Sequence, residues 1–328
     1  MATVVVIGAA VALLLGGLAL FTALTARRAE NLAPPAGRFA EVEGARLHYV
    51  DRGSGPVVVL VHGLSGNLRN FYALIDELAA TCRVVAVDRP GCGYSRMIRG
   101  QHPELRAQAR IIARFVHELR LDRPVLVGHS LGGALALALA LEYPGCVSAL
   151  VLISTLSHEE RVPPAAFKAL DIRSPTLQWL IAWTLVAPLG KLAQLARLEA
   201  VFAPERPPRS FVDDGGAALA LRPVSFVAAC NDLATVSDEL ATMIPRYPSV
   251  GIPVEVIFGR ADPILDHRVH GERLVASLPN ATLHLIAGGH MIPVTAADQI
   301  ASRIRQVAER AHQFTSNFPL FLPSPSDQ

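Results

Sequence analysis

Along most of the chain, short apolar runs closed by glycine or proline alternate with longer stretches of helical period. "FAEVEGARLHYVDRG" (39–53) reads as two short strands around Gly44. "PVVVLVHG" (56–63) is a buried strand ending in a turn, and "NFYALIDELAA" (70–80) is a helix. "CRVVAVDRPGCGYS" (82–95) is a strand and a loop, followed by the amphipathic helix "PELRAQARIIARFVHELRL" (103–121). "PVLVGHS" (124–130) then leads into "LGGALALALALEYP" (131–144), a helix of small and apolar residues buried all round, and "VSALVLIS" (147–154) is the next strand. This order predicts an α/β fold, a mostly parallel sheet with helices on both faces.

The alternation stops after Thr155. Residues 156–250 hold no strong strand, but helix-like stretches such as "TLQWLIAWTLVAPLGKLAQLARL" (176–198) and proline-rich joints such as "APERPPRS" (203–210). Strand and helix patterns resume with "IPVEVIFGRAD" (252–262), "HRVHGERLVASL" (267–278) and "ATLHLIAGGH" (281–290), and a last helix is expected from about Thr295 to His312. The expected division is an anchor over 1–29, a core in two parts over 30–155 and 251–314, a helical cap over 156–250 between them, and a loose Pro/Ser-rich tail over 315–328.

The N-terminal segment departs from this pattern. No charged side chain occurs from Thr3 to Ala26, and Val4 to Leu24 gives 21 residues, enough to cross a hydrocarbon layer at about 1.5 Å per residue. A cleaved signal peptide calls for positive charge before its apolar run, and none precedes this one. A single membrane-spanning helix fits best. Arg27 and Arg28 follow it, so the positive-inside bias puts the rest of the chain on the cytoplasmic side, a vote weakened by Glu30. "NLAPPAGRF" (31–39) reads as a short linker.

Composition narrows the function classes. The chain has 328 residues, 51% apolar and 18% charged, which supports a sizeable core. The formal charge of +2 comes without a basic block, so nothing suggests a nucleic-acid partner. Cys82, Cys92, Cys146 and Cys230 form no C-x-x-C pair and no cluster with histidine, which argues against zinc and for reduced thiols. The sequence leaves the oligomeric state open.

The candidate chemistry centres on Ser130, between Gly128 and Gly132 in "GHSLG". A strand that turns at once into a helix strains the residue at the turn, and its neighbours two away need almost no side chain. The helix then aims its N-terminal amides at whatever sits beside Ser130. A serine hydroxyl needs a base, and the base needs an orienting acid. Of the histidines, His48 and His284 fall in strand patterns and read as half-exposed, and His117 and His312 fall in helices and read as solvated. His129 adjoins the serine with its ring expected to point elsewhere, and His62 is expected to fix its own loop. His290 ends an apolar run on a glycine-freed loop, at a strand's C-terminal end, where open α/β sheets carry their sites. Asp262 likewise follows a strand, Asp266 reads as an N-cap, and Asp88 belongs to a turn-forming loop. The order Ser130, Asp262, His290 is that of a known serine, acid, histidine arrangement. The backbone N–H groups of Leu131 and, from "HGLSGN" (62–67), Leu64 are candidates for an oxyanion hole.

"LVHGL" (60–64), "VDRPGCGYS" (87–95), "VGHSLGG" (127–133), "GRADPILD" (259–266) and "GGHMIP" (288–293) together resemble the successive signatures of the α/β-hydrolase family, from about Phe39 to His312. The resemblance implies an eight-stranded sheet with a cap after the sixth strand, and chemistry that needs no metal or cofactor. Relatives that open epoxides or remove halides carry aspartate where this chain has Ser130. The serine type resembles esterases, monoacylglycerol-type lipases, thioesterases, C–C bond hydrolases and perhydrolases, which implies a small-molecule acyl ester as partner; the apolar cap stretch "LQWLIAWTLVAPLG" (177–190), taken with the anchor, makes a lipophilic acyl group the expectation. Some relatives take the acid after the sixth strand, where this chain has Ser154 with Glu159 and Glu160 nearby. For a C–C bond hydrolase, Arg206, Arg209 and Arg222 are candidates to hold a dicarboxylate. A non-catalytic, membrane-tethered binding protein of the same fold is the rival from another class.

Overall fold

The computed structural model describes residues 1–98, 102–160 and 162–317. Eight strands lie in the order β1 (Arg38–Val42), β2 (Ala45–Arg52), β4 (Arg83–Val87), β3 (Val57–Val61), β6 (Val125–His129), β7 (Ala149–Ile153), β8 (Val254–Gly259), β9 (Ala281–Ile286). A ninth, two-residue strand, β5 (Arg96–Met97), pairs with β2 outside this row. β1, β2 and β5 are the antiparallel edge; from β4 to β9 every pairing is parallel. The central strands are runs of Val, Leu and Ile because both faces of the sheet are covered.

On one face lie α3 (Leu105–Glu118) and α4 (Leu131–Glu142), and on the other α2 (Tyr72–Leu78), α10 (Ile292–Thr295) and α11 (Ala297–Asn317). Every residue of α4 from Leu131 to Leu141 is buried, as its apolar circumference requires. Truncating one of its leucines to alanine there costs about 2–5 kcal/mol. Between β7 and β8 come α5 (Pro175–Thr184), α6 (Val186–Phe202), α7 (Arg209–Asp213) and α8 (Pro223–Met243); α9 (Arg273–Ser277) follows β8. The last helical stretch starts at Ile292, breaks at Ala296 and runs to Asn317; residues 318–328 of the expected tail lie outside the described residues.

The N-terminal helix α1 (Ala2–Leu32) is apolar and exposed over its first half. Its length and composition make it a candidate membrane span. It does not stop at Arg27, because "ARRAENL" is good helix-forming sequence. Its last turns pack on α5, α6 and the turn Ala217–Leu221, burying Thr22, Thr25 and Ala29. Arg222 Nη1 meets Glu30 Oε1 of α1 at 3.2 Å. The expected linker is also tied down: Tyr94 Oη donates to Ala33 O at 2.6 Å, and Arg69 Nη2 donates to Pro34 O at 2.7 Å.

Candidate active site

Ser130 sits between β6 and α4 with φ +55° and ψ −120°, in the region L-residues rarely adopt. The surrounding glycines have identifiable neighbours. A Cβ at Gly128 would strike the Gly132 backbone, one at Gly132 the Val61 and His62 carbonyls, and one at Gly133 the Thr155 side chain. The turn is held by Ser130 N–H donating to Ile153 O (3.0 Å) and by Ser130 O accepting from Gly133 (2.9 Å) and Leu156 (3.1 Å). Leu131 is the first residue of α4, so its amide belongs to the unpaired N-terminal turn beside Ser130.

Asp262 and His290 follow β8 and β9, neighbours in the sheet. His290 Nδ1 donates to Asp262 Oδ2 at 2.8 Å, leaving Nε2 as the acceptor nitrogen. Asp262 Oδ1 accepts from the backbone of Ile264 (2.8 Å) and Leu265 (3.0 Å). Burial pushes the Asp262 carboxyl up, but the His290 charge and hydrogen bond and these two amides outweigh it, so it titrates below the usual carboxylate range. Ser130 and His290 line the same cavity; among the described residues no hydrogen bond joins their side chains.

His129 corrects one expectation. Its ring does not point elsewhere: it packs 4.9 Å from the His290 ring, and its Nε2 donates to His290 O at 3.1 Å. Burial and the neighbouring His290 bring its pKa down to about 3. His48 is corrected too. It is buried, with Nδ1 2.8 Å from Asp88 Oδ2 and Nε2 donating to Ala36 O at 2.8 Å. Asp88 also accepts from the Leu68 and Tyr94 amides, which explains a charged residue in that loop. Asp266 accepts from Arg268 N at 2.9 Å at the start of the next helical turn. Glu160, after β7, is bonded to His270 Nε2 at 2.7 Å rather than to His290.

His62 holds its loop, as expected. Its Nε2 accepts from Arg89 N–H (3.0 Å), so the proton is on Nδ1, which donates to Gly63 O (2.9 Å). Burial and then Arg89 lower its pKa to about 4, keeping the ring neutral. Beneath this loop lies a fully buried guanidinium that sequence reasoning missed. Arg89 reaches His62 O, Gly63 O, Gln108 Oε1 and, on α8, Asp232 Oδ2 at 2.8 Å. The available signal was an arginine directly after a buried strand, in "VDRPG".

Two cavities meet at Ser130. The larger, about 390 Å³, is apolar and runs from His290 and Met291 beneath α6, where Val186, Leu189 and Ala193 line it. The smaller, about 270 Å³, is bounded by Leu64, Leu131, Glu159, Glu160 and Ile264. Arg206 and Arg209 are exposed and line neither. Arg222 is buried elsewhere, over the Tyr94 ring and bonded to Gly93 O. None of the three arginines therefore faces Ser130. Among the described residues no group of His, Cys, Asp and Glu is arranged to hold a metal ion.

The sequence profile of the alpha/beta hydrolase fold matches residues 56–297. A 2-hydroxy-6-oxononadienedioate/2-hydroxy-6-oxononatrienedioate hydrolase of Paraburkholderia phymatum is 31% identical over 260 residues, covering 73% of this chain and 82% of that protein. Among solved structures, a thermophilic esterase from Thermogutta terrifontis matches with a TM-score of 0.69 and 23% identity, over 84% of this chain and all of its own. A membrane phospholipase A, a bacterial virulence factor, matches with a TM-score of 0.64 and 22% identity, over 95% of this chain and 97% of its own.

Proposed function

The chain belongs to the α/β-hydrolase-fold family, and from that premise we propose that it is a serine hydrolase cleaving carboxylic esters of lipophilic acyl groups. The observation that carries the reading is the strained Ser130 lining an apolar cavity together with the Asp262-bonded His290. Ser130 Oγ attacks the acyl carbonyl while His290 Nε2 takes its proton. Asp262 holds the Nδ1–H tautomer and stabilises the imidazolium. The Leu64 and Leu131 amides receive the oxyanion. His290 then protonates the leaving alcohol, and activates the water that releases the acid from Ser130. The serine supports acyl-enzyme rather than alkyl-enzyme chemistry.

The substrate's character follows from α6. Its inner side lines the cavity, while Leu192 (84% exposed) and Leu195 (62%) face outward. Lys191 lies 5.7 Å over the ring of Phe21 in α1. This contact ties α6 to α1, and Trp179 and Leu180 of α5 add exposed apolar surface. With α1 as a single membrane span, α6 lies on the bilayer, and acyl chains enter beneath it. Arg27 and Arg28 support a cytoplasmic catalytic domain.

Fluorophosphonate labelling of the full chain tests the nucleophile: wild type labels and Ser130→Ala does not. p-Nitrophenyl esters of rising chain length test the substrate class. Cleavage of acetate and butyrate alone sinks the lipophilic reading, and a folded wild type that never labels favours a membrane-tethered binding protein. The P. phymatum relative gives C–C bond hydrolysis as a second reading; Arg206, Arg209 and Arg222 line neither cavity, whereas Arg173 lines the smaller and Arg197 the larger.

A further inference from the structure

The fully buried Arg89 has no part in the chemistry above, yet it lies directly beneath one of its assigned groups. Its Nε donates to His62 O at 3.0 Å and its Nη2 to Gly63 O at 3.3 Å. Gly63 O also accepts from His62 Nδ1 (2.9 Å) and from the Gly66 amide (3.2 Å). One carbonyl is thus held by three donors. The Gly63–Leu64 bond is trans, since among the described residues only Ala203–Pro204 is cis. In a trans peptide the C=O and N–H point in opposite directions. Fixing Gly63 O toward Arg89 therefore fixes the Leu64 N–H away from it. Gly63 is also packed against the nucleophile: a Cβ there would lie 2.9 Å from Ser130 Cβ. A reversed peptide would turn a carbonyl acceptor toward a developing oxyanion and repel it.

Arg89 is in turn held from the other side of the site. Its charge is met by Asp232 on α8, in the helical insertion, at 2.8 Å. The other oxygen of Asp232 accepts from His102 Nε2 (2.8 Å) and Gln108 Nε2 (2.7 Å). A buried guanidinium is tolerable only while it is paired. Without Asp232, Arg89 would have to move toward water or other acceptors, and its grip on His62 and Gly63 would go with it.

We propose that Arg89 and Asp232 are positioning residues: the buried pair couples the seating of the helical insertion to the orientation of the Gly63–Leu64 peptide. Leu64 N–H is then competent as an oxyanion donor only while α8 is docked. This rests on the serine-hydrolase reading and on Leu64 as a donor.

The test compares wild type, Asp232→Asn, Arg89→Met and the double variant Arg89→Met/Asp232→Leu on a soluble p-nitrophenyl ester, with inhibition by a trifluoromethyl ketone that forms an oxyanion on Ser130. Removing one oxyanion donor costs about 10²–10³ in kcat, so a misaligned one is expected to cost about 10–100-fold, with KM changing by less than about threefold. Affinity for the ketone falls in step with kcat/KM. The double variant separates positioning from folding. It removes both charges, so no unpaired charge remains buried and thermal stability returns toward wild type. If the pair only stabilises the fold, kcat returns with it, which overturns the proposal; if the pair positions the peptide, kcat stays low. Single variants too unstable to purify leave this comparison intact. A folded Arg89→Met with wild-type kcat refutes the coupling while leaving the esterase reading standing. A wild type inert to every ester removes both.

Discussion

The imidazole of His129 packs 4.9 Å from that of His290, and its Nε2 donates to the His290 carbonyl at 3.1 Å. The residue before the proposed nucleophile thus reaches the backbone of the proposed base across two strand ends. Because His129 is held neutral, with a pKa of about 3, it adds no like charge when His290 becomes imidazolium. A charged residue there would raise the cost of each proton transfer.

His129→Ala removes one hydrogen bond that sets where the His290 loop lies. A net loss of about 1 kcal/mol is ordinary for such a bond, so kcat/KM is expected to fall about fivefold. His129→Gln keeps a donor and should recover most of that rate. Ester hydrolysis by both variants decides it: equal rates for Ala and Gln would show that the hydrogen bond has no role.

The proposed role of Asp262 combines geometry and charge. Asp262→Asn keeps the side-chain shape but favours the wrong His290 tautomer, so kcat should drop by about 10⁴ with KM little changed. The measurement is steady-state kinetics on a p-nitrophenyl ester. A loss below tenfold would mean that another carboxylate orients His290, and Glu160, bonded to His270 instead, is poorly placed to do so.

Much of the candidate site is legible in the sequence, for a physical reason. Ser130, Asp262 and His290 each follow a Val/Ile/Leu-rich strand whose end is marked by glycine, and a parallel sheet brings such ends together. What stays hidden depends on contacts remote in sequence. Arg89 and Asp232 lie 143 residues apart, and nothing local in either marks the other. His48 reads as a strand residue, but its bonds to Asp88, 40 residues away, and to Ala36 O, which go with its burial, are not marked locally. The packing of α1 onto α5 and α6 is hidden too, because apolar periodicity does not tell a lipid-facing turn from a protein-facing one.

The buried histidines set the acid limit of stability. His62 and His158 are lowered to about 4 and His129 to about 3, each chiefly by burial. All three are neutral in the folded protein but take up protons near pH 6.5 once unfolded. The unfolded state then binds more protons, so stability is full above about pH 6.5 and falls as pH drops toward 4. Each histidine contributes a slope of about 1.4 kcal/mol per pH unit in that window. Glu239, raised by burial, offsets part of one. Asp88 and Asp262, both lowered, act only below the carboxylate range. Denaturant unfolding at several pH values should give a steep acid limb, and His129→Asn should flatten it by about one proton. An unchanged limb in that variant would mean His129 is charged in the native protein.

The outward face of α6 separates catalysis from access. Leu192 and Leu195 are exposed, so changing both to glutamate should leave folding stability within about 0.5 kcal/mol per site. Neither lines the cavities at Ser130, so hydrolysis of a water-soluble acetate ester should be unaffected. Each glutamate placed against a bilayer costs desolvation of a charge and loses apolar contact. Hydrolysis of long-chain esters embedded in vesicles should therefore fall by about tenfold or more, given that about 1.4 kcal/mol of lost interfacial binding is a factor of ten. Measuring both substrates on the full chain, in detergent micelles and then in vesicles, isolates the effect. Equal activity of wild type and Leu192→Glu/Leu195→Glu on vesicle-borne ester would mean that acyl chains reach Ser130 without α6 touching the membrane.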